Sequence, residues 1–224
     1  MDLSLMVMDF DFTLLGEVPA PKSFMVRREF RGVGSFKLTV QRDAGGLLAR
    51  DRVIYRPDRP EQGWIIHRVS RSGDTLTVDG TPLKGLAKRR ICLPPLITGG
   101  AYNQFGYDLF TGDAESAYLH FAANNLTAPE DAARAIPRLV LDANLHRGPE
   151  LPWQARFERL SDLFEDIGAA TEVGWDIRPD FGAKRYVFGA WAGVDRGGRG
   201  QRGDGGVRGR CGRGRKPADP ELRE

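Results

Sequence analysis

The chain has 224 residues, of which 41% are hydrophobic and 28% charged, with a formal net charge of +3. At this length roughly 70% of the unfolded surface can be buried, so no disulfide or metal staple is required. Cys92 and Cys211 are the only cysteines, lie at no metal-ligand spacing, and fit a reducing compartment. The charge is uneven: residues 196–224 hold nine Arg/Lys and four Asp/Glu, a net of +5, which leaves the first 195 residues at −2. A near-neutral folded part provides no basic field for nucleic-acid binding.

Residues 1–8 are apolar but short, include Asp2 and run into Asp9 and Asp11, which fits neither a secretion signal nor a membrane span. Leu3–Phe10 alternates loosely and Leu14–Val18 is a second apolar run, so a hairpin around Asp11–Thr13 is predicted. Phe24, Val26, Arg28 and Phe30 share one face of a strand. Gly32-Val-Gly34 turns the chain, and Phe36, Leu38 and Val40 continue on a second strand. Val53–Arg56 is a short strand, followed by a loop bracketed by Pro57 and Pro60. Trp64–Ser70 and Thr75–Asp79 flank the turn Ser72-Gly-Asp74. Short strands separated by turn residues predict a small antiparallel barrel or sandwich.

Thr75–Pro95 reads as a strand, a turn and a short helix closed by two prolines. Thr81 is the predicted helix cap, with Pro82 at the first helical position. Leu83 and Leu86 then face the core, while Lys84, Lys88, Arg89 and Arg90 form a solvated basic face. A Gly- and aromatic-rich connector follows to residue 112. Beyond it the period changes: Ala114, Ala117, Tyr118, Phe121 and Ala122 fall on one helical stripe, with Thr111 or Asp113 as cap. Leu139–Leu141 is a predicted strand. Phe157, Leu160, Phe164 and Ile167 mark a second helix ending near Gly168. Trp175–Arg178 and Arg185–Trp191 form a last hairpin. The expected class is α+β: an N-terminal β-rich domain (residues 1–97), a connector (98–112), a smaller α+β segment (113–195) and a disordered Arg/Gly-rich tail (196–224). The tail has too few apolar residues to offset the entropy of ordering it.

The sharpest enzymatic signal is Met6–Leu15, an apolar strand running into Asp9-Phe-Asp11-Phe-Thr13. It resembles the first motif of haloacid-dehalogenase-type phosphatases. By that resemblance Asp9 would attack phosphorus, Asp11 would act as general acid/base, and both would help hold Mg²⁺. Such an enzyme requires a parallel, doubly wound sheet after the motif, whereas hairpins are predicted here. A polar turn explains the same residues without chemistry. His67, His120 and His146 are scattered and show no metal-ligand spacing. Glu158, Asp162, Glu165 and Asp166 read as the solvated face of the second helix. The tail lacks the aromatics that stack on bases, so no specific nucleic acid is expected.

Thr75–Pro95 resembles a segment of the gene-product-37-like tail proteins of siphophages and prophages, a family similar to the N-terminal hub part of tail-associated baseplate proteins. The resemblance continues in order through Asp11–Gly16, Ser23–Phe30, Gly34–Phe36, Gly112–Ser116, Arg134–Pro137, Arg147-Gly148, Trp153–Phe157 and Gly193–Arg196. It implies a non-catalytic tail-tip component with no cofactor, no metal and no catalytic residues. It further implies a homo-oligomeric ring, usually a trimer, touching the distal tail protein, the tape measure and tip or fibre proteins. The location implied is the virion tail, reached from the host cytoplasm during assembly, without membrane contact. Since the family resemblance stops at Arg196, the Arg/Gly tail is expected to be a frameshift or truncation product. That would leave Val187, Phe188 and Trp191 on a hairpin without sheet neighbours.

Overall fold

The computed structural model describes residues 3–18, 21–41, 46–96 and 106–193. The described residues up to Gly193 form one compact unit. The disorder expected of residues 196–224 lies outside the described residues.

Seven strands make one sheet: β1 (Met6–Met8), β2 (Leu14–Glu17), β3 (Pro21–Arg27), β4 (Ser35–Gln41), β5 (Val53–Arg56), β6 (Arg59–Ser72) and β7 (Thr75–Pro82). Their order is β2-β1-β5-β6-β7-β4-β3, and every neighbouring pair is antiparallel. The outermost strands, β2 and β3, are consecutive in the chain, with Glu17 and Pro21 as their facing ends. So few peptide units reach roughly 15 Å at full extension, whereas a flat sheet of this strand number spans about 29 Å at 4.8 Å per spacing. The sheet must therefore curl into a barrel-like form. Its concave side holds one apolar cluster that includes Leu5, Val7, Phe36, Leu38, Val40, Ile54, Trp64, Ile66, Leu76 and Val78.

The convex side is covered as well. In the β5–β6 ladder Ile54 pairs with Trp64 and Val53 with Ile65. Ile54 and Trp64 point inward, while Val53 and Ile65 join Met8 and Leu83 in a second cluster with Tyr118, Phe164 and Trp175. Adjacent apolar residues in one strand signal burial on both faces. This second cluster belongs to β8 (Asp108–Asp113), α1 (Ala114–Ala122), β9 (Leu139–Leu141), β10 (Glu150–Ala155), α2 (Leu160–Thr171), β11 (Val173–Asp180) and β12 (Arg185–Ala192). β11 and β12 form a hairpin, β9 adds to β12 in parallel, and β8 pairs with β10 as a separate two-stranded ribbon. Asp113 caps α1 by accepting the Ser116 N–H at 2.8 Å.

Several details depart from the sequence expectations. β3 ends at Arg27, so Arg28 and Phe30 leave the sheet in a loop that turns at Gly34, whose φ of 76° suits glycine. Pro60 lies within β6, not in a loop. Thr81 does not cap a helix. The β6 ladder pairs Thr81 with Ile65 and Pro82 with Trp64, which keeps both extended, and a 3₁₀ helix starts at Leu83 without a side-chain cap. The end of the expected connector is strand β8, and β10 has no counterpart in the sequence reading. Phe157 precedes α2, with a φ of 58°. Val187 and Phe188 are buried beside their parallel neighbour β9, so the last hairpin does have a sheet partner.

Candidate functional site

The Asp9–Thr13 segment is a tight turn between two antiparallel strands. The Asp9 carboxylate accepts the Asp11 N–H at 3.0 Å and the Thr13 N–H at 2.7 Å. The bond from Thr13 holds its pKa below the ordinary carboxylate value. Asp11 instead pairs with Arg138 at 2.8 Å. The two phenylalanines between and after the acids turn toward β12: Phe10 and Phe12 lie 4.5 and 4.7 Å from the Tyr186 ring, and Phe12 meets Phe181 edge-on. The Tyr186 hydroxyl donates to the Phe10 carbonyl at 3.2 Å. β1 lies between antiparallel β2 and β5. The Asp-x-Asp-x-Thr motif therefore forms a turn that plugs the barrel onto the helical half. Its setting is not the parallel sheet that the phosphatase chemistry requires.

A joint at Lys84 does the same at the other end. This residue was expected on a solvated face, yet it is only 3% exposed. Its ammonium donates to the carbonyls of Glu29 (2.6 Å), Phe30 (3.4 Å) and Trp175 (3.3 Å) and lies 5.0 Å from the Trp175 ring centroid. Burial pulls the Lys84 pKa down and pushes that of neighbouring Asp176 up. The Trp175 indole donates to the Arg31 carbonyl at 2.8 Å, and a Cβ at Gly174 would collide with the Phe30 ring. The β3–β4 loop is thus tied to β11 by a buried cation, an indole and a ring over glycine. Nothing local marks Lys84 for burial, because its partners lie 54 to 91 residues away.

Several other polar groups are engaged in structure. His120 meets buried Asp108 at 2.8 Å, and Asn124 donates to the other oxygen of that carboxylate at 3.0 Å. Glu115 is bidentate with Arg147. Ser116, His146 and Asp113 cluster at the start of α1. Both the Ser116 hydroxyl (3.3 Å) and the Asp113 carboxylate (3.0 Å) face Nδ1 of His146. A nucleophile relay needs them on opposite ring nitrogens. Asp162, Glu165 and Asp166 are on the exposed face of α2, as expected, while Glu158 lies before the helix and is half-buried. Cys92 is buried, which raises its thiol pKa to about 12. Among the described residues no three His, Cys, Asp or Glu groups converge to hold a metal. A cleft of about 260 Å³ lies between Leu93–Pro95 and Asn124–Arg134. Two of its polar side chains are engaged: Arg134 donates to the Ile91 carbonyl and Asn124 to Asp108, while Glu130 also lines it.

One part of the surface is apolar. On the β8–β10 ribbon and its flanks Leu109 is 68% exposed and Tyr107 and Phe157 are each 46% exposed. The Arg156 guanidinium lies over the Tyr107 and Phe157 rings at 5.8 and 5.4 Å. Aromatic and Arg groups grouped at a surface are the composition of protein–protein contacts.

A family model described as Siphovirus ReqiPepy6 Gp37-like protein matches residues 4–223. The chain belongs to this family. The match runs past Arg196, where the sequence resemblance was expected to end, into the Arg/Gly-rich stretch. Among solved structures, the prophage tail protein gp18 of Listeria monocytogenes EGD-e is similar at a TM-score of 0.52 and 11% identity, over 83% of this chain and 50% of that one. A tail protein of Neisseria meningitidis MC58 aligns at a TM-score of 0.47 and 15% identity, over 84% and 50% of the two chains. The 43 kDa tail protein of prophage MuSo2 from Shewanella oneidensis aligns at 0.44 and 10%, over 83% and 52%. This Gp37-like chain thus spans about half the length of the structures it matches, and the likeness to the first is one of fold. A comparison with curated proteins gives no match.

Proposed function

We propose that this Gp37-like protein is a structural component of a phage or prophage tail, placed at the tail tip as part of a baseplate hub, and that it works by assembly and not by catalysis. The observation that carries the reading is the family match across residues 4–223. The geometry supports it, because the one catalytic-looking motif is occupied in holding the barrel-like sheet to the helical half. In this reading copies of the chain form a ring, a trimer by the family resemblance. The ring contacts the distal tail protein, the tape measure and tip or fibre proteins, and holds the channel closed until ejection. The protein gathers in the host cytoplasm during assembly and ends in the virion tail. No helix among the described residues is long and apolar enough to cross a membrane.

The test is to delete the gene in an inducible prophage and complement it. The reading expects particles with absent or defective tail tips, labelling of the tip by an antibody against the protein, and rescue by Asp9→Asn as well as by wild type. Normal infectious particles from the deletion would refute it. Rescue by wild type but not by Asp9→Asn, together with hydrolysis of a generic phosphomonoester, would return the argument to an enzyme.

A further inference from the structure

Two exposed groups of opposite charge lie in matching apolar settings on different halves of the molecule. The first is the ribbon patch. The Arg156 guanidinium lies over the Tyr107 and Phe157 rings at the end of the ribbon that carries exposed Leu109, and it is in no ion pair among the described residues. The second is the edge strand β2, where Leu14 (54% exposed) and Leu15 lie on the free border of the seven-stranded sheet, next to Glu17. The Glu17 carboxylate accepts a hydrogen bond from the Ser4 hydroxyl at 2.6 Å and forms no ion pair among the described residues.

We infer that these two surfaces bind each other between copies of this chain, with Arg156 of one copy meeting Glu17 of the next and Leu14 and Leu15 covering Leu109 and the two aromatic rings. The chemistry is complementary on both counts. A guanidinium presents a planar fork of N–H donors suited to a carboxylate, and desolvation by surrounding apolar groups strengthens the pair. Among the described residues β2 has no strand paired along its outer border, a surface that other chains tend to cover. Because the two patches differ, the contact is head-to-tail, the type that closes into a ring when the rotation allows. The inference rests on the ring reading above and names the surfaces that would build it.

The test uses the full chain in sedimentation velocity, over a concentration range up to about 100 µM. Wild type is expected to self-associate, Arg156→Glu and Glu17→Arg each to weaken association by about tenfold or more, and the double swap to restore it. Leu109→Ser should weaken it as well, with circular dichroism confirming that every variant is folded. Association that ignores both single charge reversals would overturn the pairing and leave the ring standing. Single variants that fail without rescue by the swap would overturn the Arg156–Glu17 partnership. A wild-type monomer throughout would overturn the contact between copies, while tail-tip labelling would still judge the tail role.

Discussion

Replacing Lys84 by Met tests the joint between the two halves directly. Met preserves most of the stem volume, so little cavity is created. The carbonyls of Glu29, Phe30 and Trp175 lose a charged donor; only the Glu29 bond, at 2.6 Å, is short, and the other two are long. Leaving one well-made, part-buried acceptor unsatisfied costs about 1–2 kcal/mol, the lower part of the buried range, and losing the contact with Trp175 costs roughly 1–2 kcal/mol more. Removing the burial penalty on the ammonium offsets part of this. The net expected loss is about 2–3 kcal/mol, which for a domain of this size lowers Tm by roughly 5–10 °C. Thermal unfolding followed by circular dichroism reads it. The pH dependence gives a second check. Burial sets the folded pKa of Lys84 below its ordinary value of 10.5. Between those two values the unfolded chain binds more protons, so this residue's contribution to stability rises with pH across the window. Lys84→Met removes that rise. A variant as stable as wild type, with the same alkaline slope, would refute the reasoning.

Asp9→Ala removes the acceptor of two turn N–H groups and should cost about 1 kcal/mol, read from a urea midpoint. Because the folded pKa of Asp9 is lowered, its contribution is present above 3.8 and is lost as pH falls through the folded value, so wild type and variant should converge in acid. Asp113→Ala deletes the cap of α1 and should cost about 1 kcal/mol, whereas Asp113→Asn should cost less. Cys92, with its thiol pushed up to about 12, should resist alkylation at pH 8 in the folded protein and react once unfolded, as read by peptide mapping.

The hairpins were legible because alternation and turn residues carry the same message at short range. Val53–Arg56 and Leu139–Leu141 appear as strands with the expected limits, and the α1 stripe with Asp113 as cap is as the spacing predicts. What the pattern missed depends on distant partners. β10 contains Pro152, which breaks a strand signal, and it becomes a strand only because β8 pairs with it. Thr81 and Pro82 look like a helix start in isolation, but the β6 ladder holds them extended. Lys84 looks solvated because the carbonyls it satisfies come from the β3–β4 loop and β11. The candidate site shows the same limit. The spacing of Asp9 and Asp11 was readable, but whether two carboxylates do chemistry depends on the neighbours of β1, and those are antiparallel.

The Tyr186 hydroxyl reaches the Phe10 carbonyl across 176 positions, and Trp175 reaches Arg31 across 144. A ribosome must therefore deliver almost the whole compact unit before its opening turn finds a permanent seat. Until then Phe10 and Phe12 remain uncovered on the nascent chain, and contacts of such long sequence separation make the fold slow to complete. The interval between synthesis and closure is therefore when these two rings are most open to aggregation.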